Sequence, residues 1–98
     1  MIDRTARRMA IIDEVAAAHY LTRADLLSNV KVRTIVRARD EAIARIRAET
    51  GDSLPQIAAF LGRPDHTTIW AALNRQAKRA KNAAWVRKTR AANVEAQA

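Results

Sequence analysis

Four consecutive polar side chains, Asp65-His66-Thr67-Thr68, stand immediately before Ile69 and Trp70. They could do hydrogen-bond chemistry on the edges of bases. An aspartate accepts from the cytosine amino group, and a threonine hydroxyl donates or accepts while its methyl packs on a thymine methyl. A histidine can donate to guanine or to a phosphate, and the free amides of a helix start add an anion site. Such residues read a groove only if a helix presents its first turn outward. The segment from Ser53 to Pro64 supplies the rest of that device: Ser53 and Gln56 form a capping box, and Pro55 fits the first turn. Ile57, Phe60 and Leu61 give that helix an inner face, Gly62-Arg63-Pro64 makes a turn, and Asp65 caps the next helix. Two helices joined by a glycine-containing turn match the pattern of a helix-turn-helix DNA reader. Helix corners also occur in purely structural domains, so the pattern alone leaves both readings open.

The charge balance favours the first. The 98 residues carry 18 basic and 10 acidic side chains, a formal net charge of +8. Such an excess suits a polyanionic partner, because basic groups gain affinity by displacing counterions from phosphates. A basic protein without such a partner is the alternative. Between Asp65 and Glu95 there is no acidic residue, while Arg75, Lys78, Arg79, Lys81, Arg87, Lys88 and Arg90 fall in that interval. The chain has no cysteine, so neither a disulfide nor a thiolate metal site is expected. His19 and His66 are far apart without carboxylates in a zinc arrangement, so no metal or cofactor is expected. No segment reads as a membrane span or signal peptide, which places the expected location in the cytoplasm, on the nucleoid. No pair of titratable groups forms a catalytic constellation, so no enzyme activity is expected.

The remaining elements are helical. Met9, Ile12, Val15 or Ala16, and His19 recur at three- and four-residue steps, predicting a first helix from about Thr5 to His19. His19 reads as a packed, hydrogen-bonded core residue. Arg4, Arg7 and Arg8 sit near its start, against the helix dipole, and suit either a partner or plain solvation. Thr22-Arg23-Ala24-Asp25 opens a short helix that buries Leu26 and Leu27 and breaks at Ser28-Asn29. After the basic connection Lys31-Val32-Arg33, a third helix runs from about Thr34 to Glu49, burying Ile35, Ala38, Ala42, Ile43 and Ile46. Gly51 suits the left-handed position past its end. The last helix buries Ile69, Leu73 and Ala77, extends to about Arg90 with a possible break at Asn82, and frays from Ala91. Trp70 reads as core. Trp85 either folds the tail back or anchors another protein.

The fold expected is all-α: about five helices, with a DNA-binding domain over 5–80 and a basic extension over 81–98. The block Asp65-His66-Thr67-Thr68-Ile69, preceded by Ser53-Leu54-Pro55-Gln56-Ile57, resembles the C-terminal DNA-binding domain of the bacterial replication initiator DnaA. Asp25-Leu26-Leu27-Ser28 and Ile35-Val36-Arg37-Ala38-Arg39 follow the same pattern, and the likeness covers roughly Ile11 to Ala77. The resemblance implies that Asp65, His66, Thr67 and Thr68 read the major groove. It implies that Arg39, as the basic-loop arginine, enters the adjacent minor groove, where a narrow A·T-rich groove concentrates negative potential. Ser53, Leu54 and Pro55 would bring backbone amides to a phosphate. Lys31, Arg33, Arg37, Arg63, Arg75, Lys78 and Arg79 complete the set of candidate phosphate contacts.

The chain departs from the family pattern in three places. Pro64 stands where an arginine usually precedes the aspartate, with Arg63 one residue earlier as its substitute. Ala71 replaces a histidine, and Trp70 an aliphatic residue. The initiator's ATPase has no counterpart, since no phosphate-cradling glycine loop is present. A stand-alone reader of double-stranded DNA is therefore expected. The first functional expectation is a transcription regulator, an activator of phage-like or gene-transfer-agent type acting with a partner protein. A modulator of replication initiation and a protein-interaction module without DNA reading are the alternatives.

Overall fold

Apolar side chains at helical spacing bury one face of each long element, and the chain folds as a set of packed helices. The computed structural model describes residues 4–63 and 65–97, with side chains placed through residue 83. Among these residues there are five helices and no strand: α1 (Arg4–Ala18), α2 (Arg23–Leu27), α3 (Arg33–Thr50), α4 (Leu54–Phe60) and α5 (Thr67–Gln97). The all-α expectation is met.

The core draws on every helix: Ile11, Ile12 and Val15 of α1, Leu26 of α2, Ile43 and Ile46 of α3, Ile57 of α4, and Ile69 of α5. Each such side chain stabilises the fold by about 1.5–3 kcal/mol when fully buried. Ala38 and Ala42 are fully buried in α3, which lets α1 and α5 approach α3 closely on either side.

Local chemistry fixes the boundaries. Thr22 and Asp25 exchange both bonds of a capping box at the start of α2. Gly51, at φ 70°, closes α3 by donating its amide to the Arg47 carbonyl at 3.1 Å. Only a residue tolerant of the left-handed region does this cheaply. α3 starts one residue earlier than expected, at Arg33, and has no side-chain cap. α5 passes Asn82 without a break and runs on to Gln97, beyond the expected end near Arg90. The packing of Trp85 lies outside the described side chains.

Several expected core positions differ. Trp70 is 59% exposed, because one residue of helix turns it about 100° away from the fully buried Ile69. Ala77 is exposed and Ile35 half-buried. His19 is partly exposed and is held by hydrogen bonding, its Nε2 lying 2.6 Å from Glu41 Oε2.

The N-terminal arginines have a structural use. Arg8 donates through Nε to Oδ2 of the fully buried Asp52 at 2.6 Å, and Arg4 reaches its Oδ1 at 3.5 Å. Arg7 pairs with Glu49, and Arg47 donates to the Asp52 carbonyl. These bonds tie the start of α1 to the turn between α3 and α4. The Arg8 hydrogen bond holds the Asp52 carboxyl below the usual carboxylate range, against the opposing effect of burial.

Candidate nucleic-acid interface

The interface is built outward from α4. Ser53 accepts from the Gln56 amide at 3.3 Å, while Gln56 Oε1 accepts from the Ser53 amide at 2.8 Å. At the other end Arg63 donates its amide to the Ala58 carbonyl at 2.8 Å, and Gly62 donates to Ala59 at 3.2 Å. That is a Schellman closure, and it requires Gly62 in the left-handed region, where it has φ 69°. The chain then enters α5 almost at once.

At the start of α5, Asp65, His66, Thr67 and Thr68 are all exposed, while Ile69 and Ala72 just beyond them are buried. The polar block therefore stands on a turn anchored from beneath. Asp65 Oδ1 accepts from the Thr67 amide at 3.0 Å, one residue earlier than a cap at the helix boundary itself would sit. Hydrogen bonds from Thr67 hold the Asp65 carboxyl below its ordinary range, so it remains an anion able to accept.

A buried acid holds this helix in place. Asp40 of α3 is 1% exposed and receives Arg75 through two bonds, Nε to Oδ2 at 2.9 Å and Nη2 to Oδ1 at 3.1 Å. Arg79 adds Nη2 to Oδ2 at 2.9 Å. Bonds to Asp40 raise the Arg75 pKa still further, so this guanidinium stays charged. The sequence reading missed Asp40. Its signal was a charge four residues after Val36 and three before Ile43, on the inward face of a helix, where a carboxylate needs a partner.

Arg39 is placed differently from expectation. It lies within α3, as the predicted third helix has it, but its side chain is turned inward and the residue is 9% exposed. Its guanidinium donates to the carbonyls of Leu26 at 2.8 Å, Val30 at 3.1 Å and Asp25 at 3.3 Å. Burial, then the nearby Arg63 charge, pulls its pKa down. In this arrangement Arg39 braces the end of α2 and residues 28–32 through backbone carbonyls. The cation those residues carry outward is Lys31.

Arg63 is also engaged with the protein: its Nη2 donates to the Ser28 carbonyl at 2.7 Å. Pro64 lies outside the described residues. Around one groove the structure brings together Asn29, Lys31, Arg39, Arg63, Thr68 and Arg75. Lys31, Arg33, Arg37 and Arg79 line a neighbouring, shallower hollow. Lys78 is exposed further along α5 and borders neither. At α4, Ser53 has given its amide to Gln56 and Pro55 has no amide hydrogen. Of the three residues expected to offer backbone donors, Leu54 is the one that can.

Among the described residues no cluster of His, Cys, Asp or Glu could hold a metal ion, and no helix is long and apolar enough to cross a membrane. The sequence profile described as the bacterial dnaA protein helix-turn-helix matches residues 9–75. The chain is similar to chromosomal replication initiator proteins DnaA. It is 39% identical over 69 residues to that of Brucella abortus, covering 69% of this chain and 14% of the relative. It is 38% identical to that of Mesorhizobium japonicum over the same coverage. With that of Caulobacter vibrioides strain NA1000 it is 36% identical over 86 residues, covering 83% of this chain and 18% of the relative. The chain thus spans less than a fifth of the length of these relatives. No solved structure matches it.

Proposed function

This chain belongs to the bacterial DnaA helix-turn-helix family, and from that premise we propose that it is a sequence-specific double-stranded DNA-binding protein that regulates transcription. One observation carries the reading: Asp65, His66, Thr67 and Thr68 stand exposed at the entry and start of a helix pinned from below by Ile69, Ala72 and the Asp40–Arg75 pair. A reading helix must present base-contacting groups with little freedom, because an unfixed side chain loses entropy on binding. Lys31, Arg33, Arg37 and Lys78 are all exposed and supply cations for phosphates on either side. The Leu54 amide is the backbone donor at the start of α4. The gene-activating role includes a protein partner that engages the transcription machinery, since the reading surface accounts for contact with DNA alone.

The direct experiment is selection of bound duplexes from a random pool. Enriched sequences are expected to share one short motif, and enrichment without a shared motif would leave nonspecific coating as the better description. A second reading is favoured by the similarity to replication initiators: the protein competes with, or assists, an initiator at its binding boxes. Genome-wide occupancy separates the two, with peaks at promoters under the first and at the replication origin under the second.

A further inference from the structure

We infer that Arg63 is a positioning residue: it fixes residues 28–32, and with them Lys31, against the turn of the helix-turn-helix. The inference rests on the DNA-binding reading above and assigns this arginine a task other than holding a phosphate.

Three observations converge on it. Arg63 reaches across 35 positions of sequence to donate to the Ser28 carbonyl at 2.7 Å, and its side chain is half-buried there. Arg39 grips the same segment from α3, through the carbonyls of Asp25, Leu26 and Val30. The two guanidiniums lie close enough for Arg63 to lower the Arg39 pKa, an unfavourable approach of like charges. Such an approach persists only where acceptors compensate it, and here the backbone carbonyls of residues 25–30 do so.

The segment also lacks an apolar anchor of its own. Val30 and Val32 are 45% and 54% exposed, so hydrogen bonds rather than burial hold its course. Arg39 ties it to α3 and Arg63 ties it to the turn that launches the reading helix. Lys31 and Thr68 line one groove with Arg63, so the spacing between a backbone-binding cation and a base-reading hydroxyl depends on that second tie. Arg63 points back to Ser28.

The test uses the full chain and the variants Arg63→Ala, Lys31→Ala and the double variant. In the free protein, backbone order parameters of residues 29–32 should fall from about 0.85 to below about 0.6 in Arg63→Ala, with α3 unchanged. On the preferred duplex, Arg63→Ala should weaken binding roughly tenfold alone and about twofold or less when Lys31 is already alanine. Unchanged order parameters overturn the inference, and so does full additivity of the two substitutions, which would make Arg63 an independent phosphate contact. If the wild-type protein prefers no duplex, the DNA-reading proposal fails instead, and the order parameters alone decide whether Arg63 fixes the segment.

Discussion

Arg75 and Asp40 meet fork to fork, with bonds of 2.9 and 3.1 Å joining the exposed side of the reading helix to the buried side of α3. The acid is 2% exposed in its side chain and the arginine 48%, so the pair spans the boundary between core and surface. Its consequence is geometric. An aspartate on the inward face sets both the rotation and the height of α5, while Arg79, one turn on, repeats the tie. Asp40→Asn keeps the shape but removes the charge and half of the accepting capacity. Stability should fall by about 1–3 kcal/mol, as when a buried hydrogen-bonded group loses its match. On DNA, two released arginines should raise affinity for random duplexes and narrow the preference for the selected site. Urea unfolding and competition binding read the two effects, and an unchanged preference would mean that Asp40 does not set the helix.

His66, Thr67 and Thr68 are exposed, so replacing them with alanine acts chiefly on the ligand, Thr67→Ala losing in addition only its exposed hydroxyl bond to Asp65. Each loss of a base-specific partner should cost about 1–3 kcal/mol on the preferred duplex and relax discrimination at one position. Unfolding midpoints should stay within experimental scatter of wild type. Equal binding of the His66→Ala, Thr67→Ala double variant to every duplex, with wild-type affinity, would remove the base-reading assignment.

Where the sequence could be read, the signals were short-range. Capping boxes at Thr22 and Ser53, the left-handed Gly51 and Gly62, and the apolar steps of α1 and α3 all act within a few residues, and the structure follows them. The candidate site divides along the same line. Asp65 to Thr68 are exposed together because their position follows from the local turn. The arginines were harder, since every one of them is a legitimate phosphate ligand by composition. Whether it faces water or a backbone carbonyl depends on partners such as Ser28, Leu26 or Asp40, which lie 13 to 39 positions away. Trp70 shows the converse: an apolar type suggested burial, but its place on the helix, one step beyond Ile69, turned it outward.

Lys78 and Arg79 are neighbours in sequence with different expected contributions. Lys78 is exposed and has no ion pair among the described residues, whereas Arg79 is bound to Asp40 and Gln76. Lys78→Ala should therefore weaken all duplexes alike and flatten the dependence of log K on log salt by about one unit, with stability unchanged. Arg79→Ala should act in part through the fold, lowering the unfolding midpoint as well. Salt titrations of binding beside thermal unfolding tell the two apart, and identical profiles for both variants would refute the distinction.

Asp52 gives the fold a pH dependence whose sign is fixed by its partners. Arg8 foremost, then Thr50, holds the folded carboxyl below its ordinary range, with burial opposing them. The unfolded chain, with a carboxyl near its usual value of about 3.9, binds a proton first as pH falls. The stability that Asp52 contributes is therefore fully present above about pH 5 and is lost as pH drops through the folded value. Asp52→Asn never has that contribution. Its deficit against wild type should be largest at neutral pH and should shrink toward zero at strongly acidic pH. Urea unfolding of both proteins across that range isolates the effect, because the other carboxylates titrate alike in the two chains. A deficit independent of pH would show that Asp52 serves the turn through packing and backbone geometry, with its charge contributing nothing to the tie between α1 and the start of α4.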